Sequence, residues 1–299
     1  MATILVTGAS GFLGRYAVEA LIASGWRVAV TGRSEPDLEG VHLSVAADLL
    51  RPEETKKMLE YVKADVLLHL AWFDDPRLRW HSTDNLSWSS ATLKLVEDFA
   101  AAGGKRVVFG SSCAVYDFSA RTLHTETDKL SPGSLYGEAK AATANLLLAA
   151  QNGLGISVVE ARIFFCYGFG EPVGRLLPDL IVGISKGEPV PCSDGVQQRD
   201  YMHASDVAQA LQMLAASDFN GPVNVASGTS IPVAELVAEV ARQMGRPDLP
   251  QLGAITRSES DPEVISANVN RLNELGFSQK HNLTSGIAET LKRSGIERQ

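Results

Sequence analysis

The sequence predicts an α/β fold, a doubly wound parallel sheet with a smaller C-terminal lobe, and three observations predict it. Short, continuously apolar runs alternate with helical patterns up to about residue 162. A glycine-rich turn joins the first apolar run to the first helical pattern. After about residue 162 the alternation loosens, and prolines interrupt short segments. Alternating strands and helices form a parallel sheet with right-handed crossovers, and its strands are apolar throughout because helices cover both faces.

Each element follows from its own pattern of apolar residues. The predicted strands are continuous apolar runs, at residues 3–7, 26–31, 41–46, 65–70, 105–110 and 156–161. The predicted helices are apolar stripes at helical spacing, at residues 12–24, 53–62, 84–102, 134–152, 175–186, 204–217, 232–243 and 284–294. We expect residues 1–162 to form the sheet domain, with roughly 193–225 returning to it. Roughly 163–192 and 226–299 then form the smaller lobe.

Composition and charge exclude several classes of protein. The 299-residue chain has a net charge of −8, so no basic field attracts nucleic acid or an acidic membrane surface. No window of about 18 residues is continuously apolar, and no signal-peptide pattern precedes the first strand. Cys113, Cys166 and Cys192 are an odd number without C-x-x-C spacing, which suits a reduced, cytoplasmic protein. The histidines show no metal-ligand spacing, so we predict no metal.

The turn after the first strand has the composition of a phosphate-binding loop. It reads Thr7-Gly8-Ala9-Ser10-Gly11-Phe12-Leu13-Gly14, and a plain turn is the simpler alternative. Gly8 allows the tight turn, Gly11 lets the backbone approach a pyrophosphate, and Gly14 lets the helix pack on the strand. The pyrophosphate then meets free N–H groups at the helix N-terminus. The residues predicted to bind a dinucleotide here are Gly8, Ser10, Gly11, Phe12, Leu13 and Gly14.

The end of the second strand bears on the choice of dinucleotide. An NAD site usually has an acidic residue here that binds the ribose 2′-hydroxyl, and this chain has none before Glu35. Arg33 and Ser34 are suited to a 2′-phosphate instead, which favours NADP, although Arg33 in a solvated turn is an alternative. Asp48 and Leu49, after the third strand, are candidates for adenine contact, and Asp48 is equally suited to capping the next helix.

A serine, a tyrosine and a lysine form the candidate catalytic group. Ser112 follows the strand at 105–110, at the sheet edge where α/β proteins bind ligands. Tyr136 and Lys140 are four residues apart on a helix, so they face the same way. A phenol with a pKa of about 10 needs a nearby cation to bring that pKa towards neutrality. We therefore expect Lys140 to lower the pKa of Tyr136, and Ser112 to share a hydrogen bond to a substrate oxygen.

These segments together resemble the extended short-chain dehydrogenase/reductase family, in its nucleotide-sugar epimerase/dehydratase/reductase branch. The matching segments follow the family's order, as Thr7–Gly14, His69-Leu70-Ala71, Ser112–Tyr116, Tyr136–Lys140 and Arg199–His203. The resemblance covers residue 3 to about 280 and implies a Rossmann fold with Leu70 and Ala71 in the cofactor site. It implies that Tyr136 is the general acid/base, that Lys140 binds the nicotinamide ribose, and that Ser112 polarises the reacting oxygen. It also implies that Asn85 helps to order the site.

The resemblance implies a nucleotide-sugar substrate, and the departures from it limit the reaction. Arg199, and a basic residue near Arg257, are implied contacts of the substrate diphosphate, whereas Phe165 replaces the family's asparagine. Cys113 is also placed at the substrate, but no adjacent base supports it as a nucleophile. Cys113 and Ala114 stand where sugar 4,6-dehydratases carry an Asp-Glu pair, which argues against 4,6-dehydration.

The loop from Trp72 to Trp80 allows two interpretations. It is rich in aromatic and charged residues and follows a strand at the edge of the sheet that holds the site. One interpretation is that it covers the sugar ring, with Trp72 against the substrate. The other is a surface loop whose two tryptophans pack on the neighbouring lobe.

These features predict an NADP-dependent oxidoreductase that reduces a nucleotide-linked 4-keto-6-deoxy sugar at C4, with NAD as the alternative cofactor. A 4-epimerase is the nearest alternative, because it uses the same residues, keeps NAD bound and returns the hydride to the other face. A non-catalytic NAD(P)-binding sensor is the alternative of a different class. The presence of both Tyr136 and Lys140 weighs against it.

The helix at 134–152 predicts a homodimer. It is apolar nearly all round, and the sheet covers only one side of it. The helix at 84–102 offers a similar second face, so two subunits would form a four-helix, two-fold contact. We expect Leu147 and Leu148 to lie at this contact, and the family resemblance implies the same assembly.

Overall fold

Strands and helices alternate along the described chain, which comprises residues 2–75, 77–119 and 122–296 of a computed structural model. The strands are β1 (Thr3–Thr7), β2 (Arg27–Gly32), β3 (Leu43–Ala46), β4 (Val66–His69), β5 (Arg106–Ser112), β6 (Leu123–His124), β7 (Ser157–Ile163), β8 (Phe165–Tyr167), β9 (Val190–Pro191), β10 (Gln198–His203), β11 (Gly221–Val225), β12 (Ser230–Pro232), β13 (Pro250–Gln251) and β14 (Val264–Ala267). The helices are α1 (Phe12–Ala23), α2 (Pro52–Val62), α3 (Asp84–Ala101), α4 (Leu135–Leu154), α5 (Leu176–Lys186), α6 (Ala204–Ala216), α7 (Val233–Gln243), α8 (Asn270–Glu274) and α9 (Leu283–Arg293). The predicted helices and the predicted strands of the first half agree with these elements to within two residues at each end.

Seven parallel strands form the central sheet. Their order is β11-β7-β5-β4-β1-β2-β3, and every neighbouring pair is parallel. Leu5 of β1 lies beside Ala29 of β2 and Leu67 of β4, and all three side chains are fully buried. The strand order reverses between β1 and β4, and ligands of such sheets bind beyond the strand ends at this reversal.

Helices cover both faces of this sheet, which confirms the doubly wound fold. On one face α1 and α6 bury residues such as Leu21 and Leu211 against the strands. On the other face α2, α3 and α4 bury residues such as Phe99 and Leu147. Strand residues alternate between the two cores, since Ile4 belongs to the first and Leu5 to the second. Apolar burial on both faces explains why the strand sequences are continuously apolar.

A smaller group of strands and helices lies beyond the sheet. Its strands follow the order β12-β10-β14-β6, with β8 paired to β10, and β9 pairs with β13. The helices α5, α7 and α9 pack around Leu180, Leu236 and Ile287. Within residues 193–225, β10 belongs to this smaller sheet, whereas β11 joins the large sheet and α6 packs on it. No helix among the described residues is long and apolar enough to cross a membrane.

The orientation of α4 corrects the placement of its leucines. Leu147 is 2% exposed and packs in the core beneath the sheet, and Leu148 packs against the same core. Leu146 is 55% exposed instead. The prediction that Leu147 lies at a subunit contact is therefore wrong, because one residue along a helix turns a side chain by about 100°.

Candidate active site

A cavity of about 480 Å³ lies at the carboxyl end of the large sheet. Its size is ordinary for a small-molecule site. The predicted site residues in its wall are Gly8, Gly11, Phe12, Leu13, Gly14, Leu70, Trp72, Ser112, Cys113, Tyr136, Lys140 and Phe165. The predicted site residues outside its wall are Ser10, Arg33, Ser34, Asp48, Leu49, Ala71, Arg199 and Arg257. The structure thus gathers the glycine turn and the candidate catalytic group, and separates the two distal arginines from them.

The glycine turn has the geometry that a dinucleotide phosphate requires. Gly8 has a φ of 70°, and a Cβ there would lie 2.7 Å from the backbone nitrogen of Ala71. A Cβ on Gly14 would lie 2.0 Å from the carbonyl oxygen of Gly8, so α1 packs directly on the turn. The N-terminus of α1 at Phe12 has no side-chain cap and no acidic residue in its first turn. Its N–H groups are therefore available to an anion, and these residues fit a nicotinamide dinucleotide.

The residues predicted for the adenosine end lie along the same edge of the sheet. Arg33 and Ser34 directly follow β2 and are exposed. Asp48 accepts a 3.0 Å hydrogen bond from the backbone of Leu50, in the turn before α2. The N-cap of α2 is Arg51, so Asp48 is not the capping residue of that helix.

Three elements bring Ser112, Tyr136 and Lys140 together. Ser112 ends β5, and Ser134 caps α4 by accepting a 3.2 Å hydrogen bond from the backbone of Gly137. The cap starts the helix at Leu135, which puts Tyr136 in the first turn and Lys140 one turn later. Burial raises the pKa of Tyr136, and a hydrogen bond with the Ser112 side chain opposes that rise. The expectation of a lowered tyrosine pKa is therefore wrong, because the loss of solvation outweighs the nearby charges.

Lys140 is a buried ammonium in an aromatic setting. It is 3% exposed and donates a 2.7 Å hydrogen bond to the carbonyl oxygen of Gly110. Its Nζ lies 3.9 Å from the ring centroid of Trp72 and 4.8 Å from that of Phe109. Burial lowers the pKa of Lys140 to about 7, although Asp74 and Glu160 raise it. The group therefore changes its charge near neutral pH.

One buried asparagine organises the loop from Trp72 to Trp80, of which Pro76 lies outside the described residues. Asn85 is fully buried and accepts a 2.9 Å hydrogen bond from the indole nitrogen of Trp72. Its amide donates to the carbonyl oxygen of Arg79 at 2.7 Å. Trp80, 40% exposed, stands edge-on to the ring of Tyr136, with centroids 5.5 Å apart. Both tryptophans thus pack around the candidate catalytic group.

Cys113 and Ala114 give the site an uncharged, inert wall. Both are buried in the 3₁₀ turn Cys113–Val115, next to Ser112. Burial raises the pKa of the Cys113 thiol to about 12. A neutral thiol is a poor nucleophile, which disfavours Cys113 as a catalytic thiolate. No group of three metal-ligating side chains occurs among the described residues.

The arginines predicted for the diphosphate have protein partners instead. Arg199 is 5% exposed, forms an ion pair with Asp261 and donates 2.8 Å hydrogen bonds to two carbonyl oxygens. Arg257 forms an ion pair with Glu263. Phe165 does line the cavity, edge-on to Tyr201. The assignment of Arg199 and Arg257 to the substrate stays a prediction.

The cavity wall also holds a charged cluster that the sequence did not predict as a group, although Asp74 and Arg79 belong to the loop from Trp72 to Trp80. Arg79 donates a 2.9 Å hydrogen bond to Asp74, and Arg175 lies 3.9 Å from the same Asp74 oxygen. Arg175 also lies 3.6 Å from Glu171. Glu171 and Arg175 are four residues apart in the segment after β8, whose residues also line the cavity. A charged pair so close to Phe165 was the signal that could have revealed them.

Comparisons with known proteins agree with this geometry. The family described as "NAD dependent epimerase/dehydratase family" matches residues 4–226. The chain is 25% identical to a UDP-glucose 4-epimerase of Lacticaseibacillus casei, over 96% of this chain and 95% of that protein. It is 27% identical to a dTDP-4-dehydro-6-deoxy-D-allose reductase of Streptomyces sp., over 97% and 95% of the two chains.

A solved structure supports the same relationship. MoeE5 in complex with UDP-glucose and NAD superimposes with a TM-score of 0.85 and 31% identity, over 98% of both chains. The sequence match extends over more than half of this chain, and the superposition covers nearly all of it. The chain therefore belongs to the NAD-dependent epimerase/dehydratase family of the extended short-chain dehydrogenases/reductases.

Proposed function

We propose that the protein is an NADP-dependent reductase that acts at C4 of a nucleotide-linked 4-keto-6-deoxy sugar. The grouping of Ser112, Tyr136 and the glycine turn in one cavity wall carries this proposal, because it places a phenolic proton donor beside the cofactor phosphate site. A ketone reductase needs a proton donor at this place. Cys113 and Ala114 offer no carboxylate for removing a proton or expelling water, which supports net reduction over 4,6-dehydration.

Each group in the cavity wall has its own role in this reaction. The glycine turn and the N-terminus of α1 hold the cofactor phosphates, and the cofactor, when bound, supplies hydride to the ketone carbon. Ser112 donates a hydrogen bond to the ketone oxygen and polarises it. Tyr136 gives its phenolic proton to that oxygen as negative charge develops there. Lys140, which lines the same cavity as the glycine turn, binds the nicotinamide ribose and stabilises the resulting phenolate.

NADP is the proposed cofactor, and NAD the alternative. Arg33 and Ser34 are exposed at the end of β2, where a 2′-phosphate would lie, and no acidic residue stands before Glu35. A guanidinium presents a planar fork of N–H donors that matches the oxygens of a phosphate. The argument for NAD is that the MoeE5 complex contains NAD.

A nucleotide-sugar 4-epimerase is the second candidate. The match to a UDP-glucose 4-epimerase extends over 96% of this chain, which supports it. An epimerase uses the same serine, tyrosine and lysine but retains its cofactor through the cycle. A sensor without turnover fits less well, because burying Lys140 is costly and such a protein gains nothing from it.

One experiment separates these reactions. The purified protein is incubated with NADPH or NADH and a panel of nucleotide-linked sugars and 4-keto-6-deoxy sugars, while the absorbance of the reduced cofactor is followed. Stoichiometric consumption of cofactor with a keto sugar is expected for the reductase. An isomerised sugar without consumption would identify the epimerase, and binding without any product would identify the sensor.

We also propose a homodimer formed through α3 and α4. Leu86 on α3 and Leu146 on α4 are 57% and 55% exposed, and Ala142 and Ala149 are exposed on the same helix as Leu146. A contiguous apolar patch across neighbouring helices is typical of a subunit contact, and in this proposal these side chains form its centre. We further propose the domain boundaries given in the sequence analysis. We also propose a cytoplasmic location, since all three cysteines are free.

A further inference from the structure

The charged cluster of Asp74, Arg79, Glu171 and Arg175 lines the cavity but has no part in the proton transfer described above. We propose that the Asp74 carboxylate occupies the position at which a substrate oxyanion binds. Arg79 and Arg175 then bind this oxyanion when it displaces the carboxylate. The oxyanion is the substrate's diphosphate, since a 6-deoxy sugar carries no carboxylate at C6. The inference rests on the proposed function and deepens it by naming the residues that take the substrate's negative charge.

The two guanidinium groups converge on one atom. Arg79 Nη1 is 2.9 Å and Arg175 Nη2 is 3.9 Å from Oδ1 of Asp74. Paired guanidinium groups around a single oxygen are an arrangement with which proteins hold phosphate and carboxylate ligands. The Asp74 side chain is 56% exposed, so its ion pairs are weak and an incoming anion can replace it.

The arginines retain hydrogen-bonding capacity that the protein leaves unused. Among the described residues, the buried Nε atoms of Arg79 and Arg175 have no hydrogen-bond acceptor. A buried N–H donor without an acceptor is unfavourable, so movement of either guanidinium towards a new oxyanion is favoured. Burial raises the pKa of Glu171 to about 7, so near neutral pH this carboxyl only partly offsets the two positive charges.

The arginines expected to bind the diphosphate lie outside the cavity wall. Arg199 pairs with Asp261 and Arg257 pairs with Glu263, and neither arginine lines the cavity. The basic residues that do line it are Arg79, Lys140 and Arg175. Lys140 already donates its hydrogen bond to Gly110 inside the site. Among the described residues of the wall, Arg79 and Arg175 are therefore the basic groups that can exchange the Asp74 carboxylate for the negative charge of the substrate.

Calorimetric titration of variants saturated with NADPH tests this inference. The titrants are UDP-glucose, dTDP-glucose and UDP-glucuronic acid, which differ in base or in a sugar carboxylate. Asp74→Asn is expected to tighten binding about two- to fivefold, because it removes the competing carboxylate. Arg79→Gln and Arg175→Gln are expected to weaken binding about tenfold, and the corresponding lysine variants less. Asp248→Asn, which breaks a 2.9 Å ion pair of similar exposure outside the cavity, is the matched control and should change nothing.

The titrants also separate the diphosphate from a sugar carboxylate as the bound group. An equal gain for all of them in Asp74→Asn is expected for the diphosphate, and a gain confined to UDP-glucuronic acid would overturn the inference. Affinities that stay unchanged in Asp74→Asn, or in both glutamine variants, would overturn the inference while leaving the proposed function intact. A wild-type protein that binds neither these three nor GDP-glucose and CDP-glucose would overturn the proposed substrate class, and this inference with it.

Discussion

The ammonium nitrogen of Lys140 lies 3.9 Å from the ring centroid of Trp72, inside a wall that excludes most solvent. The π-face of the indole partly replaces the lost water, since it attracts the charged form of the lysine. Burial nevertheless lowers the pKa of Lys140 to about 7. A hydrogen bond from Trp72 to the buried Asn85 fixes the ring in this place.

This pair predicts a pH dependence of turnover. If the charged form of Lys140 is required, turnover falls as the pH rises through about 7. Trp72→Leu removes the attraction that favours the charged form, so the descending limb should move to lower pH by about half a unit to one unit. Trp72→Phe retains an aromatic face and should shift it less. Profiles of kcat against pH measure the effect, and a limb that stays in place in Trp72→Leu would rule out this control of Lys140.

The burial of Lys140 also predicts that this residue lowers the free energy of unfolding while it supports turnover. The unfolded chain keeps this proton up to about pH 10.5, whereas the folded chain releases it near pH 7. Between these values the unfolded state binds more protons, so stability rises with pH. Lys140→Met should therefore abolish turnover and stabilise the fold by about 1–3 kcal/mol at pH 7, with a smaller gain at pH 9. Urea denaturation at both pH values measures this, and a destabilised variant would show that the lysine contacts outweigh its burial cost.

A third prediction concerns the proton donor. Tyr136→Phe removes only the phenolic oxygen, so cofactor binding should persist while turnover falls about 10²–10⁴-fold. Tyr61→Phe is the matched control, because Tyr61 is 67% exposed on α2 and should be silent. Steady-state rates and cofactor fluorescence titrations separate the two effects. Turnover near that of the wild type would refute the role of Tyr136.

The local pattern of the sequence predicted most of the large sheet and the centre of the site. Continuous apolar runs identified β1 to β5 and β7, because strands covered on both faces cannot alternate with polar residues. The spacing of Tyr136 and Lys140 predicted that they share a helix face, and both line the cavity. The strands β6, β8, β9 and β12 to β14 have two to four residues each, too few to show a period. Their pairing depends on distant segments that no local pattern describes.

The features that the sequence did not predict depend on burial and on contacts between distant segments. The spacing of Tyr136 and Lys140 suggested a lowered tyrosine pKa, but the pKa depends on solvation, which the packing of the whole site sets. Asp74 and Arg175 are 101 positions apart, and only the fold brings them together. The pattern of α4 likewise did not show which of Leu146 and Leu147 faces the sheet.

A fourth prediction concerns the choice of cofactor. Arg33 is proposed to bind the 2′-phosphate of NADP, so NADP(H) should bind more tightly than NAD(H). Arg33→Ala should weaken NADPH by about tenfold and leave NADH nearly unchanged. Arg246→Ala, in the smaller lobe and 43% exposed, is the control for loss of one positive charge. Fluorescence titration gives all four affinities, and a preference that survives in Arg33→Ala would contradict the assignment.

The exposed side of α4 predicts how the subunits associate. Leu146 and Leu86 expose large apolar side chains on adjacent helices, whereas Leu147 is buried in the core of its own subunit. Wild-type protein at micromolar concentration should therefore scatter light with twice the 32.0 kDa mass of one chain. Leu146→Glu places a charge in the contact and should yield monomers, because burying an unpaired carboxylate is costly. Leu252→Glu, equally exposed but in the smaller lobe, should stay dimeric. A monomeric wild type would refute the dimer, and a dimer that survives Leu146→Glu would place the contact on another surface.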